Sequence, residues 1–244
     1  MAFWKSVLVT SLLLTSGLPS VDAGAHGTVR ARLTQAEESK YGPDVVVKTF
    51  FRDKDLKEER DMTIVLDDLF QDVAAGLKTS LPKVYDMPAA DTLVIGPKHN
   101  NDIGKYMPKL GKHKASKAER ARIFTKLMGQ IRPLLQTMYQ YGFVMRDPHA
   151  GNIMEDSEGN LHLIDPGFVR LNLDMIPTEF WEYIQDAFPG ISKDLKTAKG
   201  PIFEMMEEEG EEVWATMIRA LVPKSEGYDH LPYVPMRLYE DEIL

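Results

Sequence analysis

Apolar residues recur through positions 54–76 at three- and four-residue steps: Met62, Val65, Leu66, Leu69, Phe70 and Val73. That period puts them on one face of an amphipathic helix, which Gly76 is suited to stop. A second stripe, Ile123, Leu127, Ile131, Leu134, Leu135 and Met138, predicts one long helix over 118–141, bent at Pro133 and ended by Gly142. Two more helices are predicted at 178–188 and 202–222. The β-branched and aromatic run at 45–51 predicts a strand. Two strands around a Gly turn are expected within 21–33, and short strands at 83–87 and 92–95. A hairpin is expected from 153–154 and 161–164 about the turn Asp156-Ser157-Glu158-Gly159-Asn160. Residues 35–43 are polar, contain Tyr41-Gly42-Pro43 and read as a loop. Residues 98–117 read as a connector with one short helix from Asp102. Strands come first with one inserted helix, and helices follow. That order predicts a single α+β domain over 21–244, with a β-rich N-lobe at 21–97, a helical C-lobe at 98–244 and a ligand cleft between them.

The chain has 244 residues, enough for two small lobes with a core. A net charge of -8 argues against nucleic acid as the main partner. The absence of cysteine removes disulfides, thiol catalysis and Cys-ligated zinc. Residues 1–20 are signal-like: Lys5 precedes an apolar stretch from Val7 to Leu14, and Val21-Asp22-Ala23 offers cleavage positions. The equal alternative is a buried first element of the domain, because cutting after Ala23 removes the strand that leads into the Gly turn. The apolar stretch is too short for a stable membrane span, and no other segment reads as one.

Candidate chemistry gathers at Asp147-Pro148-His149-Ala150-Gly151-Asn152 and at Leu163-Ile164-Asp165-Pro166-Gly167. An Asp five residues before an Asn, then a second Asp after an apolar strand, is the spacing a phosphoryl-transfer site needs. One carboxylate orients a hydroxyl, and the amide and second carboxylate hold magnesium. Lys48 ends a strand, where lysines commonly face water. Between a Gly turn and an amphipathic helix it can instead hold phosphate oxygens and pair with a helix acid. Glu58, Glu59, Asp61 and Asp68 are the candidates, and Glu59 is preferred because Met62 would then face the core. Gly24 and Gly27 supply a turn whose backbone can approach phosphate, although Asp22 stands where a further glycine would help. His149 reads as a stabiliser of its loop, and Arg146 as the partner of a nearby acid. The acids at 204–212 read as a solvated helix face. The histidines show no zinc spacing, and there is no G-x-S-x-G.

Together these residues resemble the protein-kinase superfamily. Gly24-Ala25-His26-Gly27-Thr28-Val29 is similar to the second half of a Gly-rich loop, and Val45-Val46-Val47-Lys48 to the strand that carries the phosphate-binding lysine. Arg146 to Asn152 resembles the catalytic loop, and Asp165-Pro166-Gly167 the D-F-G motif. The resemblance implies a two-lobed kinase-like fold and ATP and Mg2+ as cofactors. It implies Asp147 as base, Asn152 and Asp165 as metal ligands, and Lys48 on the phosphates. Gly24, Gly27, Val29, Glu59 and Ile95 would form the rest of the nucleotide site, with residues 96–98 as hinge. Met145 replaces the His of H-R-D, Pro166 replaces the Phe of D-F-G, and no A-P-E or activation segment follows. The loop is closer to atypical kinases and to aminoglycoside or choline phosphotransferases. A chain this short is similar to minimal effector kinases that pathogens deliver into host cells, one group of which phosphorylates the ninety-kilodalton heat-shock chaperone. The expectation is a monomeric Ser/Thr kinase with a host protein as substrate, secreted or delivered into the host cytoplasm, or else cytoplasmic. Small-molecule phosphotransfer, AMP transfer and a nucleotide-binding pseudokinase are the alternatives.

Overall fold

The structure, a computed structural model, describes residues 21–23, 27–99, 101–109, 112, 114–191, 195, 197–227 and 238–239. Residues 1–20, read as signal-like, and Gly24 lie outside the described residues.

Strands β1 (Val21–Ala23) and β2 (Gly27–Arg30) pair antiparallel, as the Gly turn between them suggests. Helix α1 (Gln35–Tyr41) follows. This corrects the loop expected at 35–43. The cue is polar: Thr34 caps the Glu37 amide while the Glu37 carboxylate returns to the Thr34 backbone. No residue of α1 is buried, so no apolar period announces it.

Strand β3 (Val46–Phe50) lies between β2 and β5 (Thr92–Gly96), and β4 (Lys83–Ala89) forms the edge. All pairings in this five-stranded sheet are antiparallel. Pro88 is tolerated in β4 because an edge strand need not donate at every residue. Helix α2 (Asp53–Gly76) packs against β3, β4 and β5. Its Leu56 joins Phe50 and Leu93, while Met62, Val65, Leu66 and Phe70 belong to the large core. Each of those side chains stabilises the fold by roughly 1.5–3 kcal/mol on burial. One helix thus serves both the sheet and the helical part.

The connector holds β6 (Asn101–Asp102) and a 3-10 turn at Ile103–Tyr106. The predicted bent helix is α3 (Lys117–Lys126), a π turn at Leu127–Ile131 and α4 (Arg132–Gln140). Pro133 has no N–H to give to the preceding turn, and the wider π turn accommodates it at the start of α4. Strands β7 (Phe143–Met145), β8 (Ile153–Glu155), β9 (Leu161–Leu163) and β10 (Val169–Asn172) follow. Helix α5 (Thr178–Ala187), β11 (Thr197–Ala198), α6 (Pro201–Leu221) and a 3-10 turn at Lys224–Glu226 come next among the described residues. β8 and β9 form the expected hairpin, with β6 added at its edge, and β10 lies between β7 and β11. Strands β6, β7, β10 and β11 run two to four residues, too short to show a period in sequence.

Candidate active site

Alternation along β3 turns Val47 inward on one face and Lys48 on the other, and the Lys48 side chain is almost fully buried. The first turns of α2 bring Glu59 to meet it. Lys48 Nζ lies 2.6 Å from Glu59 Oε2 and 3.3 Å from Asp165 Oδ1. Met62, three residues on, is buried in the core, so the preferred helix acid is the one that reaches the lysine. Burial opposes the charge on Lys48, but Glu59 and then Asp165 outweigh it and hold its pKa above the ordinary value. Burial, then the Asp165 charge, push Glu59 up to about 7 against the pull of Lys48. Two carboxylates therefore share one ammonium. Glu59 Oε1 is buried with no hydrogen-bond partner. This surplus of negative charge is what an added cation would relieve.

Asp165 has a left-handed backbone, φ 55°, which turns its carboxylate toward Lys48. Gly167 lets the turn close over the pair: a Cβ there would stand 3.3 Å from both the Asp165 and Glu59 carboxylates. Arg170, which sequence reading did not single out, donates to the Gly167 carbonyl at 3.0 Å and fixes this turn. Burial, then the neighbouring Arg146, lower Arg170 to about 10. Its only cue in sequence is a cation between Val169 and Leu171.

Asn152 lies within reach of the same turn. Its backbone carbonyl accepts from the Ile164 amide at 2.9 Å, one residue before Asp165. Its side-chain amide donates to the Asp147 carbonyl at 3.0 Å. Asp147, Asn152 and Asp165 are thus joined by loop and strand ends. Burial raises the Asp147 pKa and Asp165 adds to it, opposed by His149 and Arg146. His149 Nδ1 accepts from the Gly151 amide at 2.8 Å, the backbone bond expected of a loop stabiliser. Its Nε2 is 3.4 Å from Asp147 Oδ2. Arg146 finds its acid in Glu209 of α6, at 2.6 Å, which corrects the reading of 204–212 as a merely solvated face.

Gly27 and Val29 sit on β2 above this pair, Val29 opposite Lys48 in register. A Cβ on Gly27 would fall 2.2 Å from the Thr49 carbonyl, so only glycine lets the two strands approach there. Ile95 lies on β5 opposite Val46 and packs against the cluster of Phe50, Leu56 and Leu93, whose Phe50 ring lies 5.2 Å from Lys48 Nζ. The Lys98 amide donates to the Asp44 carbonyl at 2.8 Å, which ties residues 96–98 to the start of β3.

Asp165 and Asn152 offer the hard oxygens that magnesium prefers, and phosphate and water complete such a shell in phosphoryl-transfer sites. Among the described residues no cluster of three or more His, Asp or Glu forms a self-sufficient metal cage. The donor set fits an ion that arrives with nucleotide. Among the same residues no helix is long and apolar enough to cross a membrane.

An antiparallel sheet, a helix acid on a strand lysine, and two acidic loops meeting beside them define a protein-kinase-like fold. The profile of the ABC1 atypical kinase-like domain matches residues 30–196, more than half of the chain, and the chain belongs to that family. No curated protein matches it in sequence. Among solved structures, the kinase PK-1 of Cydia pomonella granulovirus aligns at 14% identity with a TM-score of 0.41. That alignment covers 62% of this chain and 53% of that kinase, about half its length.

Proposed function

We propose that the chain is an ATP- and magnesium-dependent kinase that transfers the γ-phosphoryl group to a Ser or Thr hydroxyl of a protein. The observation that carries this reading is the buried Lys48–Glu59 pair beside Asp165, with Asp147 one loop away. Lys48 would bind phosphate oxygens, and Glu59 would hold it in place. Asn152 and Asp165 would hold magnesium, which when bound screens the phosphate charge. Asp147, whose pKa burial raises above the ordinary carboxylate value, would orient the acceptor hydroxyl and take its proton. Asn152 keeps the Asp147 backbone in position. Gly27 would let the loop before β2 approach the phosphates, and Val29 and Ile95 would border the nucleotide.

The signal-like residues 1–20 and the resemblance to delivered effector kinases support a host protein as substrate, with the ninety-kilodalton chaperone the first to test. Purified chain, labelled ATP and host lysate, with and without that chaperone added, provide the assay. Protein labelling is expected to need magnesium and to fall by about 10²–10⁴ in Asp147→Asn. Labelling that is unaffected by Asp147→Asn overturns the role of Asp147. Magnesium-dependent nucleotide binding without any transfer would instead make the chain a pseudokinase.

A further inference from the structure

A cavity of about 780 Å³ opens beside Asp147. One wall is the catalytic loop, with Arg146, Asp147 and His149. The loop adjoins a single face of α6, Glu209, Glu212, Val213, Thr216, Met217 and Ala220, which recur at three- and one-residue steps and line the same cavity. Met107 and Pro108 also belong to the lining. After Asp165 the chain makes the short turn Pro166–Phe168 and enters β10 at once, which pairs with β7.

The groove is polarised along its length. At the Asp147 end stand three carboxylates, Asp147, Glu209 and Glu212, against Arg146, whose charge is already taken by Glu209. Glu212 is exposed and has no partner among the described residues. Further along α6, Val213, Met217 and Ala220 line the same cavity as Met107 and Pro108 and make this part of its lining an apolar slot. From Glu209 to Ala220 the helix rises about 16 Å, at about 1.5 Å per residue. An extended strand covers that distance in about five residues at about 3.3 Å each.

We infer that this groove is the acceptor site and takes an extended peptide: a Ser or Thr at Asp147, a basic residue beside it against Glu212, and an apolar residue two or three positions away in the slot. The inference rests on the kinase reading of the same site. The occupant is chosen by charge complementarity and by length. A choline-sized cation would fill only the acidic end. A polycationic amino sugar would lay its hydroxyl and ammonium groups along Val213, Met217 and Ala220, where they lose water without gaining partners.

Two measurements on the full chain test it. The first is fluorescence anisotropy with labelled Ser peptides that carry Arg beside the serine and Leu three residues away, compared with Glu-for-Arg and Ser-for-Leu versions. The Arg/Leu peptide is expected to bind about tenfold tighter than the Glu version. Glu212→Lys should abolish or reverse that preference. Ala220→Glu, at the other end, should abolish the preference for Leu and keep the preference for Arg. Equal binding of the charge-reversed peptides, or a charge preference unchanged in Glu212→Lys, overturns the inference. The second measurement is phosphate transfer to the same peptides and to a panel of amino sugars and choline. Transfer to an amino sugar or choline, with none to peptide, also overturns it. Selective peptide binding with no transfer to any acceptor leaves the groove standing and removes the kinase reading instead.

Discussion

Lys48 sits between two carboxylates, and the consequence is a measurable pH dependence. Glu59 is held near 7 against an ordinary 4.5 by burial first and by Asp165 second. An acid whose pKa is raised by folding favours the folded state below its unfolded pKa, and that contribution is lost as pH rises through the folded pKa. Between about pH 4.5 and 7 the wild type should therefore lose stability relative to Glu59→Gln. His99 acts in the opposite sense. Burial and then the stacked His162 lower it to about 4, so its contribution is present above about 6.5 and fades as pH falls. Comparing wild type with Glu59→Gln cancels that background, since both keep His99. Melting temperatures across the range without magnesium or nucleotide make the measurement, and parallel curves would refute the shared-ammonium picture. If Asp165 is a magnesium ligand as proposed, adding magnesium and nucleotide should narrow the gap, because the bound cation would take up the charge that adds to burial in raising Glu59.

The elements were legible where packing repeats along the chain. The stripe from Met62 to Val73 announced α2, and the choice of Glu59 followed from the same helical period. The loop spacing of Asp147, Asn152 and Asp165 was equally plain, because apolar strand-like runs bracket the two loops that carry them. Helix α1 was hidden because its signal is one capping exchange, and the π turn because a wide turn and a kink share the same proline. The capping exchange recurs at α3, where the Ser116 hydroxyl accepts from the Glu119 amide and the Glu119 carboxylate accepts from the Ser116 amide. Ser116→Ala should cost about 1 kcal/mol, the usual worth of such a cap. Urea unfolding gives the test: the midpoint should fall with an unchanged slope. An unchanged midpoint would mean that the tertiary contacts of α3 alone hold its first turn.

At the scale of the whole molecule, the start of the Arg146–Asn152 loop is held from behind by residues far along the chain. This part was not legible, because Glu209, Gly210 and Tyr239 lie more than sixty residues from Met145 and carry no local pattern. The Tyr239 hydroxyl donates to the Met145 carbonyl at 3.1 Å, and its ring stacks on Tyr139 at 4.5 Å. Glu211 accepts the Leu238 and Tyr239 amides, so α6 carries that segment. Gly210 lets α6 lie directly on β7: a Cβ there would stand 2.5 Å from the same Met145 carbonyl. Two effects then compete in Gly210→Ala. Alanine is the better helix former by about 1 kcal/mol, which favours the variant. The clash is with backbone, which cannot rotate away, and relieving it means moving α6 off the strand that delivers Arg146 and Asp147. Overpacking of this kind costs about 1–3 kcal/mol, so the clash is expected to win. Gly210→Ala should unfold at lower urea and lose phosphate transfer beyond its loss of folded protein, because the Arg146–Glu209 pair shifts with the helix. Transfer per folded molecule, measured at matched temperature, separates the two losses. A variant more stable than wild type with unchanged transfer would show that α6 does not set the position of the loop.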